Sequence, residues 1–151
     1  MTTNVNDSDL KRFLMSAMTI PMKPLYEEIG EILDSSIQKN FREGGRYASD
    51  GEGGWTGGTN KWIESIRAEA QNGQTLQDTG GLAASITYHA SEDGVVIGTN
   101  KAYGAIQQFG GEAGKGNSVI LPPRPYIVIQ EEDYEDIEDA ISKFYERSLK
   151  R

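Results

Sequence analysis

Seven glycines fall between Gly44 and Gly58, and a helix or strand of ordinary stability does not survive that density. The stretch predicts a long loop, mobile over residues 44–58, with Tyr47 and Trp55 set among polar residues. Loops of this length without secondary structure are uncommon unless they bind something or move. Two readings are open: an assembly contact built on Trp55, or a flexible surface loop with one aromatic anchor. The core has to come from the chain on either side.

On the N-terminal side, residues 1–7 are polar and predict a loose, disordered end. Ser8 or Asp9 can cap a short helix carrying Leu10, Phe13, Leu14 and Ala17 on one side. Pro24 suits the first residue of a second helix. There Leu25, Ile29, Ile32, Leu33, Ile37 and Phe41 recur at three- and four-residue spacings, and Gly44 can stop the helix. This apolar stripe can pack on the chain's own sheet or meet a neighbouring subunit, and the first use is the simpler.

Beyond the glycines, Asn60 can cap a helix over residues 61–72, with Trp62, Ile63, Ile66 and Ala70 inward and Gly73 ending it. Asp78 or Thr79 opens a short turn or helix. Ile86, Tyr88 and Ala90 then alternate, Glu92-Asp93-Gly94 turns, and residues 95–98 return, which predicts a β-hairpin. Gly80 and Gly98 permit tight turns beside it. Residues 102–109 predict a brief helix, docked on the sheet by Tyr103, Ile106 and Phe109 and ended by Gly110 and Gly111. Residues 111–118 predict a second mobile glycine-rich loop, and residues 126–129 a further strand. Seven acidic residues between Glu131 and Asp139 open the last helix, the end that favours negative charge. Ile137, Ala140, Ile141, Phe144 and Leu149 form its apolar face. Helices at both ends of an antiparallel sheet make a small α+β domain with long glycine-rich loops, one domain spanning residues 1–151.

Composition removes several kinds of function. The chain has no cysteine, so disulfides, thiolate metal sites and cysteine nucleophiles are impossible. A net charge of -8 argues against a broad grip on nucleic acid, and no sequence-specific nucleic-acid binding is expected. No apolar run approaches the about 18 residues of a membrane span, so no membrane partner is expected. His89 is the lone histidine and sits at a predicted strand end, an ordinary surface or edge-strand position. The acidic run lacks the glycine turn and spaced oxygens of a calcium loop, and reads as a solvated or intersubunit face. In GEAGKGNS no serine or threonine follows the lysine, so it is not a nucleotide loop. No catalytic, metal-binding or cofactor-binding residue is nominated.

Three segments stand in order between Leu76 and Ile129: LQDTGGLAASI, VVIGTNKAYGAIQQFGG and RPYIVI. Together they resemble the phage virion morphogenesis family, which includes the tail-completion proteins of Mu-like and P2-like phages. That family's pattern is a TG-L-x-x-S segment before a hairpin, a GTN-x-x-YA-x-I-H-Q-FGG segment after it, and an RPF-type segment before an acidic helix. The matching positions are Thr79, Gly80, Leu82 and Ser85, then Gly98 and Asn100, then Tyr103, Ile106, Gln108, Phe109, Gly110 and Gly111, then Arg124, Pro125 and Tyr126. Gly104 departs from the usual alanine and Gln107 from the usual histidine, which weakens any acid–base role at that position.

The resemblance implies a structural, non-enzymatic role late in particle assembly, completing the tail or joining head to tail without a cofactor. The implied assembly is a closed ring, commonly of six copies, located in the virion at the head–tail interface after assembly in the host cytoplasm. Its implied partners are further copies of itself, tail tube or tail terminator proteins, and head connector or neck proteins. The residues themselves also permit an adaptor or regulatory protein that uses the acidic helix on a basic partner. Candidate interface residues are Trp55, Glu112, Lys115, Arg124, Glu131, Glu132 and Asp133. Pro125 holds Arg124 extended, and its guanidinium can take a carboxylate within the chain or on a neighbour. Thr79, Gly80 and Phe109 read as maintaining the fold.

Overall fold

A computed structural model describes residues 6–46 and 61–150. Trp55, Tyr47, Asn60 and most of the first glycine-rich stretch lie outside the described residues. Among those described, the order is α1 (Asp7–Met18), α2 (Lys23–Glu43), α3 (Ile66–Gln71), α4 (Gly81–Ala84), β1 (Ile86–Ala90), β2 (Val95–Thr99), α5 (Gly104–Phe109), β3 (Gly111–Ala113), β4 (Val119–Leu121) and α6 (Glu131–Leu149). The two sheets are antiparallel pairs, β1 with β2 and β3 with β4, so the fold is α+β as its sequence pattern predicts.

α2 is the organising element. Its stripe buries Leu25, Leu33, Ile37 and Phe41, and each such side chain contributes about 1.5–3 kcal/mol on burial. Gly44 ends the helix in the left-handed conformation, φ 65°. The start is capped from far away: the Glu92 carboxylate in the β1–β2 turn accepts from the Met22 N–H at 2.7 Å and the Lys23 N–H at 3.3 Å. α2 packs on both β1 and β2, and also on α6. The close approach to the sheet needs Gly30, where a Cβ would lie 2.3 Å from Cδ2 of Tyr88.

The core has two parts. Ile37, Phe41, Leu82, Ala83, Ile86 and Tyr126 form one, with Trp62, Leu76, Ile97 and Ile127 packed around it. The Phe41 ring meets Tyr126 at 5.1 Å and the Trp62 edge at 5.8 Å. Leu25, Ala140 and Phe144 form the other, where α2 meets α6. α1 contributes to neither, for none of its residues is buried.

Several expectations are corrected. α1 starts at Asp7, within the stretch expected to be loose, and is capped by the Asn6 side chain, two or three residues before Ser8 or Asp9; residues 1–5 lie outside the described residues. The helix expected over 61–72 shrinks to α3, capped by Ser65. Ile63 and Ile66 are 67% and 86% exposed and Ala70 is also exposed, while Ala68 faces inward. Residues 111–118 are not an irregular loop: β3, a 3-10 turn at Lys115–Asn117 and β4 make a second hairpin. Residues 126–129 form no strand; the Tyr126 and Ile127 N–H groups instead bond the Gln108 side chain, at 2.9 and 3.0 Å. Tyr103 and Phe109 do not dock α5, because they are 47% and 78% exposed. Buried Gly104 sets that contact. Gly98 lies inside β2 opposite Thr87, not in a turn, and Leu149 is exposed.

Candidate functional site

Part of the sequence signature converges on one depression. Thr79, Gly80 and Leu82 at the start of α4, Tyr103 and Gln107 on α5, and Arg124 on the segment before α6 all line a cavity of about 370 Å³. Ser65, Arg67, Leu76, Asp78, Gly81 and Leu121 complete the wall, and the sequence reading nominated none of these six as site residues. Leu76 carries a signal visible only in space: its backbone is left-handed at φ 62°, which costs a residue with a Cβ roughly 1–2 kcal/mol.

Arg124 is 5% exposed. Its Nε donates to the Ile63 carbonyl at 2.8 Å, and its own N–H donates to the Gln107 carbonyl at 2.8 Å. The intrachain carboxylate considered from sequence is not its partner; Asp78 pairs with Arg67 instead, at 3.3 Å. Burial lowers the Arg124 pKa from its ordinary value, yet a guanidinium stays charged at neutral pH. Beside it, the Gln107 side-chain oxygen is buried without a hydrogen-bond partner among the described residues. Arg124 and Gln107 therefore line one cavity, the first with its terminal nitrogens unpaired and the second with an enclosed, unsatisfied oxygen.

The acidic run divides. Asp133 is 3% exposed and faces its own chain, accepting from Ser36 Oγ at 2.6 Å and from the Gln130 N–H at 2.7 Å. Arg46 pairs with Glu132 and lies 3.8 Å from Asp133. Gln130 Nε2 donates to Asn40 Oδ1 at 3.1 Å, and Asn40 Nδ2 to the Tyr126 carbonyl at 2.9 Å. This buried polar chain fastens α2 to the start of α6, so Asp133 is an internal strut with no face for a neighbour. Glu131 remains exposed, as do Glu112 and Lys115 on the second hairpin.

The other signature residues are structural neighbours of the site. Ser85 Oγ bonds the Leu82 carbonyl at 2.6 Å and Thr99 Oγ1 at 2.5 Å. The Pro125 carbonyl accepts from Trp62 Nε1 at 3.1 Å. Gly110 and Gly111 carry the chain from α5 into β3, with φ 70° and 142°. His89 is exposed on β1 opposite Val96. No cluster of metal-ligating side chains occurs among the described residues, and none of their helices is long and apolar enough to cross a membrane.

Residues 5–146 match the phage virion morphogenesis family. The chain is 32% identical over 136 residues to "Mu-like prophage FluMu G protein 2" of Haemophilus influenzae, covering 90% of this chain and 87% of that protein. It is 33% identical over 100 residues to "Putative capsid assembly protein G" of Escherichia phage Mu, covering 62% of this chain and 64% of that one. No solved structure matches the chain.

Proposed function

From the premise that this chain belongs to the phage virion morphogenesis family, and is thus a structural protein of phage assembly, we propose that it completes the tail or joins head to tail as a closed ring. The observation that carries the reading is the family match over residues 5–146, with part of the signature lining one cavity. The relatives' printed names, a Mu-like prophage protein and a capsid assembly protein, agree with an assembly role.

Ring formation draws support from α1. Leu10, Phe13, Leu14, Met15 and Met18 are 44%, 51%, 49%, 69% and 85% exposed, a concentration of apolar surface that a neighbouring subunit would cover. Contacts between two different patches of identical subunits close into a ring when the rotation permits. The mechanism is surface complementarity, with no covalent step: one face meets the finished tube and another is offered to the next layer. In this reading the head connector, tail tube and terminator proteins are the partners.

Electron microscopy of purified particles, with the subunit identified in the density, tests it. The expected result is a ring at the head-proximal end of the tail. A chain absent from mature particles would overturn the structural assignment and leave a transient assembly factor or adaptor.

A further inference from the structure

We propose that the cavity between α4, α5 and Arg124 is a recognition site for an acidic residue of an adjoining protein chain, with Arg124 taking the carboxylate and Gln107 taking a peptide group beside it. The inference rests on the assembly reading only for where that chain comes from; the chemistry of the site stands on its own.

Four observations carry it. First, Arg124 is nine-tenths buried and lines the cavity, yet only its Nε has an acceptor, the Ile63 carbonyl at 2.8 Å. Its two terminal nitrogens have no hydrogen bond or ion pair among the described residues. They are open to the cavity rather than sealed off, and a carboxylate reaching them forms a two-pronged, charge-assisted contact. Second, Gln107 also lines the cavity, and its side-chain oxygen is enclosed without a hydrogen-bond partner among the described residues. A side-chain amide carries both donors and an acceptor, which is the complement of a backbone peptide group. A bare inorganic anion would satisfy the arginine and leave this amide without a match for its acceptor.

Third, the local charge is opposite to that of the chain. Arg67 and Arg124 outnumber Asp78 in the cavity, although the whole chain carries -8. Subunits of that charge repel one another, and an arginine-lined cavity facing a carboxylate offsets repulsion at the seam. Fourth, the volume, about 370 Å³, is at the small end of ligand cavities and suits one side chain with its flanking peptide group.

The test uses the full chain and two small probes, N-acetyl-aspartate N-methylamide and its asparagine counterpart, followed by 1H–15N NMR. The aspartate probe is expected to shift the Arg124 Nε–H and Gln107 side-chain signals saturably at about millimolar concentration, with the asparagine probe at least about tenfold weaker. Arg124→Gln should abolish the shift, with the β1–β2 signals in place as the check on folding. Should that variant not fold, Gln107→Leu serves, expected to weaken the aspartate probe while leaving Arg124 buried. Equal response to both probes, or no response at about 50 mM, overturns the proposal.

Signals that also move with protein concentration and are reversed by the probe identify a second copy of this chain as the source. Concentration-independent signals that still respond to the probe assign the acid to another particle protein. A probe that fails to bind leaves the ring reading intact, because that is decided in particles. A chain missing from particles leaves the carboxylate chemistry intact.

Discussion

The Tyr126 hydroxyl donates to the carbonyl of Gly104 at 2.8 Å, and a Cβ added to Gly104 would sit 2.9 Å from that same hydroxyl oxygen. The two positions are therefore one packing unit, which gives a reason for the glycine where the family pattern has alanine, next to an RPF-type segment that here carries tyrosine. Gly104→Ala alone is expected to cost roughly 1–3 kcal/mol through overpacking. Tyr126→Phe alone should cost about 1 kcal/mol through the lost hydrogen bond. The double variant should be more stable than the sum of the two losses, by about 0.5 kcal/mol or more. Urea midpoints of the four proteins measure this, and simple additivity would count against the coupling.

Gly30→Ala should destabilise the fold even though alanine is the better helix former by about 1 kcal/mol. The new methyl would lie 2.3 Å from the Tyr88 ring, so α2 or the hairpin has to move. A loss of about 1–3 kcal/mol in denaturant unfolding is the expected outcome. Gly30→Ala combined with Tyr88→Ala should recover part of it.

The acidic residues of α6 should separate into two classes. Asp133→Ala removes the acceptor of Ser36 Oγ and of the Gln130 N–H inside the protein, for a loss of about 3 kcal/mol. Glu131→Gln, on an exposed position, should stay within about 0.5 kcal/mol. Equal effects would contradict the internal role of Asp133.

Stability should fall on the alkaline side. Burial first, and the neighbouring Tyr103 second, raise the Tyr126 pKa above its ordinary value, and the phenolate cannot donate to Gly104. For Tyr88 the order is burial, then Glu31, Glu27 and Asp34, again upward. A raised folded pKa means that the neutral form is favoured in the native state. This contribution is fully present below about pH 10, the unfolded tyrosine value, and is lost as pH rises through the folded one. Thermal melts across that range should show a shallower alkaline decline in Tyr126→Phe.

Removing residues 1–18 should leave the melting temperature of the remainder nearly unchanged, because none of the α1 residues is buried and none belongs to either part of the core. If α1 forms the seam of a ring, the truncated chain should fail to enter particles while remaining folded. Incorporation at the wild-type level would remove α1 from the interface.

The parts legible in the sequence are those specified by short spacings. The stripe from Leu25 to Phe41, stopped by Gly44, made α2 readable, because a period and a cap are local properties. The alternation around the Glu92-Asp93-Gly94 turn made the first hairpin readable for the same reason. Where the spacing was ambiguous, tertiary contacts decided. Ile63, Ile66 and Phe109 sit at helical intervals and all three are exposed, since no element of the described chain covers them. The second hairpin was hidden because glycines that suit a loop also suit the tight turn between β3 and β4.

The chain by itself determined α2, the acidic start of α6, the first hairpin and the family signature, since all are written in residues close together along the backbone. Only the tertiary structure decided that Asp133 meets Ser36, that Glu92 caps α2, and that Thr79, Gln107 and Arg124 share a cavity. Those relationships join groups tens of residues apart, and no local period records which distant partner the packed core will bring within hydrogen-bonding reach.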